Sequence, residues 1–321
     1  MTRRPTLQDL NKCCARFVAA LCLLLGLSSP AWSLEVLGAP DPQPLLVSEN
    51  VEALKPVAAA LGRLTFWDSV AGEPVQRVVT ATLIDTQTVL TTSHVFYTPE
   101  EEDSELRAPC RALDESLLFR WVTCDGLQFI PAFAPSSADS GRRAISDCVQ
   151  FAAFPGADGL SQEALCRLEE PAAAPKAAFM PLGEPAETAT ALVPFMAQRR
   201  LNDGSGSTDP RWDAVVGEPC DLSRDQSILR PGAFSGPSGH AIRHYCGIWS
   251  GGSGAPVIQA TPDASGFQIV GIHLGERFKA SDIVRTLGDR KFLLPSNFKG
   301  RNANVAVTAE RIEELREALA L

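Results

Sequence analysis

Short runs of β-branched and apolar residues, separated by turn residues, constrain the fold of this chain more than any other feature. Val, Thr, Leu and Ile dominate residues 62–67, 75–84 and 88–93, and turn residues interrupt them. Such runs are typical of antiparallel strands. Further strands are predicted near residues 116–122, 145–154, 191–197 and 211–216, with a hairpin over residues 255–276. The rest of residues 98–142, and the Ala-, Pro- and Glu-rich residues 155–190, are interpreted as loops and surface connections.

The end of the chain has a different pattern. Ile312, Leu315 and Leu319 fall on one face of a helix that Thr308 can cap, although Arg311 stands where a capping box needs Glu or Gln. Many short strands closed by one C-terminal helix predict an all-β fold. A barrel or a sandwich is favoured over a doubly wound α/β fold.

The first 33 residues are typical of a signal peptide. Four basic residues precede the apolar run 17–27, and small residues then flank Trp32. The run is shorter than the about 20 residues that cross a bilayer. We therefore expect a secreted or periplasmic protein made of residues 34–321, with no membrane contact once mature. A retained signal anchor is the alternative.

Composition narrows the possible partners. The chain carries a formal charge of −9, and the leader holds four basic residues and one acidic residue, so the mature part is near −12. An acidic surface argues against nucleic acid as a partner.

Six cysteines follow the leader, which suggests three disulfides in an oxidising compartment. They are Cys110, Cys124, Cys148, Cys166, Cys220 and Cys246. No zinc spacing occurs, so no metal or cofactor is predicted.

A glycine-rich turn, W-S-G-G-S-G-A-P, contains a candidate nucleophile at Ser253. A serine hydroxyl needs a base within hydrogen-bond reach and N–H donors aimed at the developing oxyanion. The surrounding glycines let the N–H groups of Gly251 and Ser253 point at one spot. A candidate base, His94, closes the strand-like run that ends T-T-S-H-V-F.

These two segments resemble the trypsin-like (chymotrypsin-fold) serine peptidases, whose base lies in a T-A-A-H-like segment and whose nucleophile lies in G-x-S-G-x-P. The order His, Asp, Ser is also that of this family. The resemblance implies two six-stranded antiparallel β-barrels, roughly residues 55–165 and 166–305, and then the helix. It also implies an acid that orients the base. Asp147 is the preferred candidate because it opens D-C-V-Q-F, where the family has D-x-A-hydrophobic. Asp139 and Asp125 are its rivals.

Within that family the chain is most similar to the exported bacterial glutamyl-endopeptidase-like branch, which shows a Cys, then H-x-C, then the Ser motif, then G-I-H. The resemblance implies a Cys220–Cys246 disulfide. It also implies that His273, with Gly271, helps to bind an acidic substrate side chain before the cut. His240 and His244 are interpreted as structural.

The expected function is therefore an exported serine endopeptidase that acts on protein or peptide substrates through an acyl-enzyme at Ser253. The alternative is a catalytically silent protein of the same fold that serves as a binding or scaffold module.

Overall fold

The computed structural model describes most of the chain after the leader. The described residues are 33–36, 42–45, 51–98, 105–116, 118–133, 141–152, 163–172, 179–186, 189–199, 211–224, 241–248, 251–263, 265–277, 283–287, 290–293 and 303–320. The predicted leader, apart from Ser33, lies outside these residues. No helix among them is long and apolar enough to cross a membrane.

Strands dominate the described residues. They are β1 (Ser33–Val36), β2 (Gln43–Pro44), β3 (Leu61–Val70), β4 (Glu73–Leu83), β5 (Thr88–Thr92), β6 (Cys110–Glu115), β7 (Phe119–Cys124), β8 (Gln128–Pro131), β9 (Arg143–Phe151), β10 (Glu163–Leu168), β11 (Pro194–Arg199), β12 (Arg211–Val216), β13 (Leu222–Arg224), β14 (Ala241–His244), β15 (Pro256–Ala260), β16 (Phe267–Arg277), β17 (Ile283–Leu287), β18 (Arg290–Leu293) and β19 (Ala303–Thr308). Two α-helices, α1 (Val51–Ala60) and α2 (Ala309–Ala320), and a 3₁₀-helix, Ser93–Phe96, complete the elements.

Six antiparallel strands of the first half close into a barrel, in the order β10-β5-β4-β3-β8-β9, with β9 pairing back to β10. The β6–β7 hairpin extends this sheet beyond β9. Two of the three disulfides bridge neighbouring strands here, Cys110–Cys124 and Cys148–Cys166. The predicted mostly-β fold and the first barrel are therefore confirmed.

The strand β10 corrects an expectation. Residues 155–190 were expected to form a surface connection, but β10 is a barrel strand in which every residue except Arg167 is buried. Ala, Leu, Glu and Arg favour helices in isolation, so the local composition does not indicate a strand. Pairing on both sides, with β5 and β9, together with the Cys148–Cys166 disulfide, places this segment in the barrel.

The second half of the chain is also built of strands. Five of them form the antiparallel sheet β13-β14-β19-β16-β15, and β11-β12-β2 form another. Isolated bridges join the two sheets, Ala191 to Cys220 and Leu192 to Ile258. The predicted second six-stranded barrel is not confirmed by the described residues.

The helix α2 closes the structure as predicted, with Ile312 and Leu315 fully buried. The predicted cap by Thr308 at the N-terminus of α2 is not formed, because the Thr308 hydroxyl is buried and has no hydrogen-bond partner. The buried face of α2 contributes to an apolar cluster that joins the barrel to the second half. Leu54 of α1, Val149 of β9, Met196 of β11, Ile272 of β16 and Leu315 of α2 all belong to this cluster.

Candidate active site

His94 lies in the 3₁₀-helix that directly follows β5. All five residues of β5 are buried, and the backbone of Thr92 is still extended where the 3₁₀-helix begins. The imidazole of His94 is half-buried, and its Nδ1 lies 3.0 Å from Oγ1 of Thr92. The strand end thus fixes one ring nitrogen of the candidate base.

A buried arginine holds the backbone after His94. Arg107 Nε donates to the carbonyl oxygen of Val95 at 2.9 Å, and Arg107 N donates to that of Phe96 at 2.8 Å. Its guanidinium also pairs with Asp68 at 3.0 Å, and Asp68 pairs with Arg77 at 2.9 Å. Burial pushes the pKa of Asp68 upward, but hydrogen bonds, chiefly from Arg77, outweigh it and hold that pKa below its ordinary value. An ionised Asp68 therefore compensates the charge of Arg107 beneath the His94 turn.

Ser253 lies in a tight turn whose glycines cannot be replaced without a clash. Gly251 and Gly254 have φ of +99° and +82°, which disfavours any side chain. A Cβ on Gly251 would lie 2.3 Å from the carbonyl oxygen of Met196, and one on Gly254 would lie 2.3 Å from that of Thr80. The predicted glycine turn is thus held by close backbone packing.

Thr80 of β4 joins this turn to the barrel. Its N–H donates to the carbonyl oxygen of Ser253 at 2.9 Å, and its hydroxyl donates to that of Gly251 at 2.6 Å. The same hydroxyl accepts a hydrogen bond from Met196 N at 2.9 Å. Sequence reasoning missed Thr80, because a threonine in a β-like run is read as a strand former.

The turn also abuts the end of β5. A Cβ on Gly254 would lie 3.0 Å from Thr91 Oγ1 and 3.2 Å from Thr92 N. The residue after Ser253 therefore contacts the strand that ends two residues before His94. The two predicted site segments, 159 positions apart in sequence, are neighbours in the fold.

Two N–H groups of the turn are available to a ligand. Among the described residues, no acceptor pairs with the N–H of Gly251 or of Ser253, and the Ser253 hydroxyl forms no hydrogen bond. Free N–H groups beside a half-buried serine are what an oxyanion hole requires. Hydrogen bonds between catalytic groups often tighten only when substrate binds.

His273 of β16 is held in the core by His244 of β14. The His244 Nε2 to His273 Nδ1 distance is 2.9 Å, and His273 is 2% exposed. Burial, and then repulsion from His94, lower the pKa of His273 to about 3. Burial, and then repulsion from His273, hold the pKa of His244 well below its ordinary value. Both rings are therefore neutral at physiological pH, and the influence of His94 indicates that it lies close by.

The predicted substrate-binding residues are both buried in this structure. Gly271 lies within β16, opposite Val257 of β15 and Thr308 of β19. The sequence suggested a structural role for His244. The nearly complete burial of His273 fits the same kind of role. A substrate-binding role for His273 and Gly271 stays a prediction.

The strand register sets Asp147 level with Thr88, at the start of β5. Asp147 of β9 lies opposite Arg167 of β10, and Arg167 lies opposite Thr88 at the start of β5. Thr88 is four residues before Thr92, which is about 13 Å along the strand. The carboxylate of Asp147 accepts a hydrogen bond from Ser146. The role of Asp147 as the orienting acid stays a prediction.

Of the two rival acids, only Asp125 lies among the described residues. Asp125 is exposed and pairs with Arg111 at 3.0 Å. Asp139 lies outside the described residues. The hydroxyl of Thr92 lies within hydrogen-bond distance of His94 Nδ1.

The disulfide Cys220–Cys246 is present, as the resemblance implied, and it completes a set of three. Cys220, Cys246 and His244 form the only His, Cys, Asp and Glu cluster with metal-ligand spacing in the described part of the chain. Because the two sulfurs are bonded to each other, this cluster offers a single nitrogen ligand as it stands.

Comparison with solved structures finds a distant likeness. A solved structure of a Glu endopeptidase in complex with MPD matches with a TM-score of 0.47 and 12% sequence identity, over 88% of this chain and 99% of that chain. The likeness is too distant to carry residue roles, which rest on the contacts above. No family model matches the chain, and no curated protein matches it either.

Proposed function

We propose that this chain is a serine endopeptidase in which Ser253 is the nucleophile and His94 is the general base. The observation that carries the proposal is the packing of Gly254 against Thr91 and Thr92, which holds the Ser253 turn beside the strand leading to His94. Hydrogen bonds from Thr80 to the carbonyl oxygens of Ser253 and Gly251 support the same arrangement.

The chemistry follows from these positions. Ser253 Oγ attacks the carbonyl carbon of a peptide bond while its proton passes to Nε2 of His94. The N–H groups of Gly251 and Ser253 stabilise the oxyanion. Collapse of the tetrahedral intermediate breaks the C–N bond, and His94 gives its proton to the leaving amine. Water then hydrolyses the acyl-enzyme by the same steps in reverse, with His94 again as the base.

A fluorophosphonate probe tests this proposal directly. We expect the parent protein to be labelled at Ser253 and the Ser253→Ala variant to remain unlabelled. Hydrolysis of a peptide library should fall by about 10³-fold or more in that variant. Ser265→Ala, in an exposed turn, is the matched control and should keep both activities. Equal hydrolysis by Ser253→Ala and the parent would refute the proposal.

The same library, sorted by the residue that precedes the cut, tests the role of His273. Enrichment of Glu or Asp at that position, lost in a His273→Leu variant that still reacts with the probe, would support binding of an acidic side chain. A profile that is indifferent to acidic residues would remove His273 from the substrate site.

Export forms the second part of the proposal. Three disulfides among the described residues fit an oxidising compartment. We expect mass spectrometry of the protein recovered from the periplasm or the medium to give Leu34 as its first residue. Recovery of an intact leader on membranes would instead support the signal-anchor alternative.

One observation favours a second candidate, a catalytically silent binding or scaffold protein. Asp147 lies level with Thr88, four residues before Thr92, in the register of β9, β10 and β5. The hydroxyl of Thr92 lies 3.0 Å from His94 Nδ1. If the folded parent protein neither reacts with the fluorophosphonate nor cleaves the library, this second function is supported.

A further inference from the structure

We infer that Thr80 of β4 is the positioning residue of the oxyanion hole, because its hydroxyl holds the carbonyl group of Gly251 from the first barrel. Thr80 acts through the peptide groups of the turn, so it is a positioning residue and not a catalytic one. The inference rests on the proposed function and adds to it the group that keeps the N–H donors of the Ser253 turn in place before substrate binds.

The turn that carries Ser253 has little stiffness of its own. Gly251 and Gly252 have no side chains to restrict the rotation of their peptide groups. An oxyanion hole needs N–H groups that already point at the oxyanion, because donors that are held in advance need no reorganisation during the reaction. Contacts from outside the two glycines must therefore supply the orientation.

Three consecutive carbonyl groups of the turn accept hydrogen bonds that supply it. The carbonyl oxygen of Gly252 accepts from Ala255 N at 2.9 Å. A peptide group is planar, so this hydrogen bond also fixes the N–H of Ser253, on the opposite side of the same group. Thr80 holds the carbonyl groups on either side of that peptide. Its hydroxyl donates to the carbonyl oxygen of Gly251 at 2.6 Å, and its N–H donates to that of Ser253 at 2.9 Å.

The hydroxyl of Thr80 is itself held in a fixed direction. It accepts a hydrogen bond from Met196 N at 2.9 Å, and its single proton is therefore donated to Gly251. Thr80 is fully buried, and its carbonyl oxygen accepts from the hydroxyl of Thr91 at 2.9 Å. Loss of the hydroxyl would leave the carbonyl of Gly251 with only the longer contact to Thr80 N at 3.2 Å.

The same strand offers a matched control. Thr82 lies two residues further along β4 and is also fully buried, but its hydroxyl has no hydrogen-bond partner in the described part of the chain. Thr80→Val and Thr82→Val therefore make the same change of shape, and only the first removes hydrogen bonds.

We expect kcat for a peptide substrate, per folded molecule, to fall about 10-fold or more in Thr80→Val, with KM within about 2-fold of the parent. The reason is that the N–H donors of the hole act in the transition state. Thr80→Ser keeps the hydroxyl and should restore most of this loss, and Thr82→Val should stay within about 2-fold of the parent. Circular dichroism gives the folded fraction of each variant, so that lost stability is not counted as lost kcat.

The sequence provides a readout that does not depend on activity. Gly251–Gly252 is the only Gly-Gly pair in the chain. When glycine is labelled at both its carbonyl carbon and its nitrogen, only this peptide group joins two labelled atoms, so a carbonyl–nitrogen correlation NMR spectrum shows one peak. We expect the carbonyl shift of Gly251 to move upfield in Thr80→Val, as loss of a hydrogen bond to the oxygen causes. It should stay in place in Thr80→Ser and Thr82→Val.

The outcomes separate this inference from the proposed function. If the parent neither reacts with the fluorophosphonate nor cleaves peptides, but Thr80→Val moves the Gly251 peak, the peptidase is refuted and the hydrogen bond from Thr80 is supported. An active parent and a folded Thr80→Val variant with the same kcat would overturn the inference and leave the peptidase standing. If Thr80→Val does not fold, the parent decides: a Gly251 carbonyl at the shift of a water-exposed glycine overturns the inference, and one at the shift of a hydrogen-bonded carbonyl supports it.

Discussion

Replacing Glu163 by glutamine is expected to lower the free energy of unfolding by about 3 kcal/mol. Glu163 begins β10 and is 2% exposed, and its carboxylate accepts a hydrogen bond from Arg311 Nε at 3.0 Å. Arg311 lies on the inner face of α2 and its guanidinium stacks over the ring of Phe151. Glutamine would remove the buried countercharge of the guanidinium and leave only Glu314, which pairs with it at 2.6 Å but is partly exposed. A buried charge that loses its buried partner is costly.

Two other variants identify the cause of that loss. The double variant Glu163→Leu/Arg311→Met removes both charges and should lose less stability than Glu163→Gln alone, because no buried charge remains unpaired. Arg316→Met breaks an exposed pair with Glu313 on the same helix and should cost less than about 0.5 kcal/mol. Denaturant unfolding followed by circular dichroism measures all three. A loss in Glu163→Gln no larger than in Arg316→Met would contradict this account.

The ion pair also explains why an arginine stands at position 311. Arg311 occupies the place where a capping box needs Glu or Gln, among residues that form the apolar face of the helix. Its partner lies 148 positions earlier, in a strand that composition does not reveal. The ion pair with Glu163 explains why Arg311 departs from the capping-box pattern. The periodicity of residues within α2 cannot indicate a contact with so distant a part of the chain.

The strand end at His94 and the turn at Ser253 could be predicted because each lies inside a short segment whose own residues dictate its shape. A Val- and Thr-rich run predicts the strand that ends at His94, and a glycine-rich run predicts the turn at Ser253. The Cys220–Cys246 disulfide followed from the resemblance. These parts of the fold depend mainly on local conformation.

The neighbours of β5 could not be predicted in the same way. Asp147 lies in the middle of β9 and not at its start, and β9 is separated from β5 by β10, a strand that the composition does not indicate. The one sequence signal for β10 was Cys166, since a disulfide partner 18 residues after Cys148 suggests a neighbouring strand. Thr80 and Thr92 look like ordinary strand residues, and only the fold brings the hydroxyl of Thr80 to Gly251, 171 positions away.

Acid should destabilise the protein through the buried His244–His273 pair. The pKa of His273 is lowered from 6.5 to about 3, chiefly by burial, and that of His244 is also lowered. Between these pH values the unfolded chain binds protons that the folded protein does not. The free energy of unfolding is therefore at its full value above pH 6.5 and falls as the pH decreases toward 3.

Denaturant midpoints at pH 7.5, 6 and 4.5 measure this dependence. The double variant His244→Gln/His273→Gln replaces both rings with polar groups that do not titrate, so its midpoint should decline less steeply with acid than that of the parent. His94→Gln removes a half-buried ring and should keep most of the parent slope, because the buried pair is still present. If the double variant and the parent lose stability equally between pH 7.5 and 4.5, then carboxylates, and not these two rings, account for the sensitivity to acid.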